Sequence, residues 1–189
     1  MDRRRFLVGT IGASSVSLPS PWLGGAAAAT DDELAFANFG ASVEYLVKEF
    51  YERAIAAKVT SRTGTDLLRR GRSAAAQHAK ALSELLTGAG DVAPAEEDFA
   101  FEWPARTFGS ARSIASTGTS VLRALRGAYQ TAAASVSEPS YRILYASLAA
   151  SVGQQVGALA TLAPRAVVEP FPVAMDLEAA SGALERYLG

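Results

Sequence analysis

The residue best equipped for chemistry in this sequence is His78, its only histidine. It lies in Gly71-Arg72-Ser73-Ala74-Ala75-Ala76-Gln77-His78-Ala79-Lys80-Ala81-Leu82-Ser83-Glu84-Leu85-Leu86, where the apolar spacing predicts a helix with the imidazole on its apolar side. A metal site on such a helix wants a carboxylate three residues earlier, because positions i and i+3 share a face one turn apart. That position is Ala75. The second candidate is Glu44, which falls about 110° from the apolar centre of an earlier predicted helix at 3.6 residues per turn. It belongs either at a helix seam or within reach of solvent. Two readings of His78 follow. One is a neutral core histidine bonded to a serine, a tyrosine or a backbone carbonyl. The other is a residual mononuclear metal site with Glu44, aided by Tyr51 or Tyr129. Two protein ligands hold a transition metal poorly, since stable sites use three or four. A Glu44–His78 hydrogen bond would instead fix the imidazole tautomer or stabilise imidazolium.

Other chemistries are excluded by what the chain lacks. There is no cysteine among the 189 residues, so disulfides, zinc–thiolate sites and thiol nucleophiles are ruled out. A single mid-helix histidine on a core face leaves no credible Ser-His-Asp arrangement, and no phosphate-cradling glycine loop precedes a helix. The run Glu96-Glu97-Asp98 departs from the EF-hand pattern, and three successive acids cannot all turn inward, so it reads as a solvated loop face. Tyr45, Tyr51, Tyr129, Tyr141 and Tyr145 read as core and seam residues whose buried hydroxyls need partners. Residues 1–29 hold three arginines and one aspartate, leaving 15 basic and 18 acidic residues in the remainder. A net charge near -3 offers no basic field for nucleic acid.

The elements that must position these residues are helical. Hydrophobic residues make up 49% of the chain with few aromatics, which favours helices packed through small side chains. Asp31-Asp32-Glu33 supplies an N-cap and acidic first turn. Phe36, Phe39, Val43, Leu46, Val47 and Phe50 then make one stripe of a helix reaching about Ala57. After a turn at 60–65, a second helix begins near Thr65 or Asp66, with Leu67, Gly71, Ala74, His78, Leu82 and Leu85 as its stripe, and ends at Gly88 and Gly90. Residues 88–104 form a long connection whose Phe99, Phe101 and Trp103 alternate with Ala100 and Glu102, a pattern that predicts packing. A third helix runs from Pro104 or Arg106 to Val136, on the stripe Phe108, Ala111, Ala115, Gly118, Leu122, Leu125, Tyr129 and Ala132. Ser137-Glu138-Pro139 separates it from a fourth, on Tyr141, Tyr145, Leu148, Val152, Val156 and Leu159. Gly118, Gly127, Gly153 and Gly157 each cost a helix about 1 kcal/mol relative to alanine, for which close helix approach would compensate. An extended stretch, 167–172, precedes a short helix from Asp176 to Leu188. The fold class expected is all-α, an antiparallel four-helix bundle with a short C-terminal helix, in one domain over residues 30–189.

Residues 1–29 read as an export signal. Met1-Asp2-Arg3-Arg4-Arg5-Phe6-Leu7 is a basic head, Val8 to Leu23 a weakly apolar middle, and Gly24-Gly25-Ala26-Ala27-Ala28-Ala29 a small-residue cleavage region. Arg3, Arg4, Phe6 and Leu7 resemble the twin-arginine motif R-R-x-F-L, with Asp2 in place of the usual serine or threonine. The competing reading is a retained amphipathic or membrane anchor. Against it, glycines and serines make the middle too weak for a span of about 20 strongly apolar residues. The expectation is cleavage after Ala28 or Ala29, no stable membrane span thereafter, and an exported protein of the periplasm, envelope or exterior.

The helical region also resembles the ferritin-like domain family, of the kind related to plant desiccation-related proteins. The likeness rests on Phe39-x4-Glu44-Tyr45-Leu46-x3-Phe50-Tyr51, His78-x3-Leu82, Phe99-x-Phe101-x2-Pro104, Gly127-Ala128-Tyr129-x2-Ala132-Ala133 and the segment from Phe171 to Leu188. The resemblance implies a di-metal centre with a glutamate from each of two helices and an E-x-x-H pair from each of the others. On that pattern Glu44 and His78 remain, while ligands are replaced at Ala75, Leu122, Gly153 and Val156. Independently of any alignment, there is no Asp or Glu from Pro104 to Val136, nor from Pro139 to Val168. No cofactor is therefore expected, and the leading expectation is a non-enzymatic protein with a structural or binding role. Its partner would be another protein, or an apolar small molecule if Ala75, Leu122, Gly153 and Val156 leave a cavity. The alternative is a metal-dependent oxidase or catalase-like protein with an atypical site using Glu44 and His78. Bundles of this kind often form homodimers, although nothing in the sequence marks an interface.

Overall fold

The structure, a computed structural model, describes residues 30–163 and 172–188. The expected leader, and all but Pro172 of the expected extended stretch, lie outside the described residues. Among the described residues five α-helices account for the architecture: α1 (Asp31–Ala56), α2 (Arg62–Gly88), α3 (Ala111–Ser135), α4 (Pro139–Ala160) and α5 (Leu177–Leu184). The all-α reading is confirmed, with differences at helix ends that have local causes.

α1 is capped by Thr30, one residue before the expected Asp31: its hydroxyl accepts from Glu33 N–H, and the Glu33 carboxylate accepts from Thr30 N–H at 2.8 Å. α2 begins at Arg62, earlier than Thr65, because Ser61 accepts from Gly64 N–H and Thr65 bonds back to the Ser61 carbonyl. The supposed turn is thus the first turn of the helix. It ends in a Schellman motif, with Gly90 at φ 84 and Asp91 N–H reaching the Leu86 carbonyl. α3 starts at Ala111, not at Pro104 or Arg106. Thr107 N–H folds back on the Pro104 carbonyl, Arg106 adopts a positive φ of 68, and the Ser110–Ser113 capping box opens the helix. Phe108 therefore packs from a turn. α4 follows its predicted stripe throughout, with Pro139 in the first turn where its missing N–H costs nothing.

The α2 stripe needs a rotation. Its fully buried line is Leu68, Gly71, Ala75, Ala79, Leu82 and Leu86, whereas Leu67, Ala74, His78 and Leu85 are only half-buried. His78 accordingly flanks the core instead of centring it.

Facing residues set the topology. Gly40 lies against Tyr129 and Leu82, Tyr51 against Gly71, and Gly118 against Phe50 and Leu159. Rising numbers in α1 thus meet falling numbers in α2 and α3, so α1 runs antiparallel to both. α2 and α3 consequently run the same way, and the segment joining them must return along the length of the bundle. It does so along α1: Tyr45 donates to the Pro94 carbonyl, Lys48 pairs with Glu96 at 2.6 Å, and Trp103 Nε1 donates to Glu49. Trp103 packs with Phe50, Phe108 and Tyr187, and Phe101 forms a β-bridge with Leu188, so the connection and the C-terminal segment close the core together. Of the acidic run, Glu96 holds Lys48 and Asp98 accepts from Ala95 N–H.

Close approach explains two of the four helix glycines. A side chain on Gly118 would collide with Phe50 and Leu159, and one on Gly127 with Met175. Gly153 meets only Arg126 of α3 at ordinary contact distance, and Gly157 faces open space, so neither is required by a close helix approach among the described residues. By length and composition α4 could cross a membrane, at mean hydropathy 1.3. Here its large residues Tyr141, Tyr145, Leu148, Val152 and Leu159 pack into the bundle.

Candidate functional site

The interior holds a polar seam to which each long helix contributes. Glu44, on α1, is fully buried at 0% exposure, at the seam with α2 and α3 and out of reach of solvent. Its Oε1 lies 2.9 Å from His78 Nδ1 on α2 and accepts a hydrogen bond from the Tyr129 hydroxyl on α3 at 3.0 Å. The proton between Glu44 and His78 sits on the nitrogen or the oxygen according to the imidazole tautomer. Among the described residues Glu44 Oε2 has no hydrogen-bond partner. On the same face of α1, two turns along, the buried Tyr51 hydroxyl donates to Gln155 Oε1 on α4 at 2.9 Å, and Gln155 Nε2 likewise has no partner among the described residues.

These placements fix the electrostatics. Burial drives the Glu44 carboxyl above the usual carboxylate range, and the hydrogen bonds and charge of His78, with that of Tyr129, only partly oppose this. Burial also pushes the Tyr129 phenol well up, reinforced by the neighbouring Glu44 charge and hydrogen bond. The Tyr51 phenol is raised by burial and then by Glu44, so all three are held toward their protonated forms. The seam can share one proton between the Glu44 carboxyl and the His78 imidazole, while the Tyr129 phenol keeps its own and donates to the same oxygen.

A di-metal centre does not fit this donor set. Ala75, Leu122 and Val156 are buried at 0%, 1% and 3% exposure, presenting hydrocarbon where ligands would stand. Gly153 is only half-buried beside Arg126; the inward pair on α4 at that level is Val152 and Gln155. Among the described residues no group of three His, Cys, Asp or Glu side chains comes together. One carboxylate oxygen with a bare lone pair and one imidazole already bonded to that carboxylate cannot bridge two metals. The anticipated Glu44–His78 hydrogen bond is present. Gln155 was missed, because Gln154-Gln155 looks like a polar interruption of the α4 stripe. Its position three residues after Val152 was the available signal.

A bundle with one lengthwise crossover between two helical hairpins, and a polar seam at its middle, defines a ferritin-like architecture. The family model for the ferritin-like domain matches residues 32–164, and the chain belongs to that family. Neither a curated protein nor a solved structure gave a match.

Proposed function

We propose that this chain is an exported ferritin-like protein that has given up di-metal chemistry and serves a non-enzymatic structural or binding role. The observation that carries this reading is Glu44: the carboxylate left at the expected metal position is engaged by His78 and Tyr129, and α3 and α4 bring no acid toward it. The order of motifs from Phe39 to Tyr129 supports kinship with the type related to plant desiccation-related proteins. The basic head, weakly apolar middle and alanine-rich cleavage region support export by the twin-arginine route.

Metal analysis of the purified chain from residue 30 is the direct test, with sub-stoichiometric iron and manganese as the expected outcome. Near-stoichiometric metal that disappears in His78→Ala would overturn this reading in favour of the metal-dependent oxidase or catalase-like alternative. Export has its own test. The N-terminus of the exported protein should be Ala29 or Thr30, and replacing Arg3 and Arg4 together by lysine should abolish its appearance outside the cytoplasm. Recovery of the exported protein with Met1 still in place would refute cleavage.

A further inference from the structure

Charge is divided between the two ends of the bundle. Gly64, in the first turn of α2, lies against Leu162 just past α4, and Gly118 of α3 lies against Phe50 of α1. One end therefore gathers the α1–α2 loop, the start of α3 and the end of α4. Between Arg53 and Arg72 stand six basic residues and one acid, Asp66, which Arg69 holds at 2.9 Å. From Pro104 to Arg112 come two more bases and no acid. Lys58, Arg62, Arg70, Arg106 and Arg112 are exposed and make no ion pair among the described residues. The opposite end, where α1 and α4 begin and α2 stops, carries Asp31, Asp91 and Glu138, also without ion pairs among the described residues.

Two features mark the basic end as a contact surface. Lys58 and Arg106, at φ 55 and 68, are the two non-glycine residues at positive φ among the described residues. Lys58 stands just past the end of α1, where glycine is the usual solution, so a projecting cation is held there in a less favourable backbone. Beside it Val59 is 38% exposed, with only Thr60 and Ser61 between it and Arg62. We propose that this end docks on an anionic membrane surface, with Lys58, Arg62 and Arg112 among the lipid phosphates and Val59 at the headgroup level. Cations on three separate elements suit a broad sheet of negative headgroups, which can meet all of them at once. No exposed aromatic side chain stands among them, as stacking on a single-stranded nucleic acid would require. The acidic far end is repelled by the same surface, so the bundle meets it end-on. This inference rests on the binding role proposed above, for which it supplies a partner.

The test is sedimentation of the chain from residue 30, which contains every described helix, with vesicles of phosphatidylcholine and phosphatidylglycerol in equal amounts. Binding should weaken as salt shortens the screening length from about 10 Å at 0.1 M to about 3 Å at 1 M, and should be absent with phosphatidylcholine alone. Lys58→Gln with Arg62→Gln should weaken it roughly thirty-fold, at about fivefold for each cation near an anionic surface. Lys80→Gln with Arg142→Gln removes the same charge from the other half of the bundle and should bind like the parent; an equal loss there overturns the assigned surface. The chain has no cysteine, so orientation can be read from a polarity-sensitive fluorophore at Val59→Cys, which should blue-shift on the mixed vesicles. The same label at Val92→Cys, exposed where the connection leaves α2, should not shift, and the reverse pattern refutes end-on docking. Binding to polyglutamate but to no vesicle overturns the membrane in favour of an acidic polymer. Binding to neither overturns this surface and leaves the metal-free reading standing, since metal content is measured separately.

Discussion

Two buried glutamates on the same helix are tuned in opposite directions, and their neighbours explain why. Glu44 is fully buried, with the His78 imidazole and the Tyr129 hydroxyl both at one of its oxygens, so burial prevails and its carboxyl is raised. Burial also works against the charged form of Glu33. There it is outweighed by N–H groups of Thr30, Glu138 and Ser137 and by the Thr30 hydroxyl, so its carboxyl is held low. Native Glu44 therefore binds its proton more tightly than the unfolded chain does. Its favourable contribution is complete below the unfolded pKa and is lost as pH rises through the folded one. Glu33 behaves oppositely: its contribution is present above the unfolded pKa and lost as pH falls through the folded one. Urea unfolding from about pH 3 to pH 8, spanning the ordinary carboxylate range and above, should show this as two slopes. Relative to the parent, Glu44→Gln should gain stability as pH rises, and Glu33→Gln should lose it. Slopes of the same sign would contradict the assigned environments. At neutral pH, His78→Ala should cost about 1–3 kcal/mol by leaving Glu44 with one hydrogen-bond partner fewer.

At the scale of the helix, identical residues have different duties. Gly118 is required by the Phe50 ring and Leu159 side chain that press on it, whereas Gly157, in the interior of α4, meets nothing among the described residues. Gly118→Ala should therefore destabilise by about 1–3 kcal/mol through overpacking. Gly157→Ala should stabilise by up to about 1 kcal/mol, because alanine is the better helix former and meets nothing. Thermal melts of the two variants settle it, and a stabilised Gly118→Ala would refute the packing described. Helix ends show the same dependence on neighbours. Glu33 completes the α1 capping box with one oxygen and accepts from Ser137 and Glu138 with the other, tying the start of α1 to the α3–α4 turn.

For the whole molecule, the crossover makes one cooperative unit of parts far apart in sequence. Trp103, from the connection, touches Phe50 of α1 and Tyr187 near the C-terminus, while Phe101 pairs with Leu188. In the chain from residue 30, Trp103 is the sole tryptophan. Its fluorescence should shift on denaturation at the same midpoint as the loss of helical circular dichroism. An earlier fluorescence transition would mean that the connection undocks before the bundle melts.

The sequence by itself determined the helices, because apolar spacing at three and four residues is a local consequence of helical geometry. It also determined that α3 and α4 bring no carboxylate inward, since a side chain that is not encoded cannot be supplied by folding. Tertiary structure decided the rest. The exact phase of α2, the first residue of α3 and the depth of Glu44 depend on neighbours distant in the chain. The buried line of α2 keeps Gly71 and Leu82 but takes Leu68, Ala75 and Leu86 in place of Leu67, Ala74 and Leu85, and this rotation, by less than one residue's step of about 100°, moves His78 from the centre of the core to its flank. Whether a polar residue becomes a member of the seam, as Gln155 does, or remains at the surface, as Gln154 does, was likewise decided by what faced it. His78 by itself pointed to half of a metal motif; packed against Glu44 and Tyr129, it is one end of a buried hydrogen-bond network.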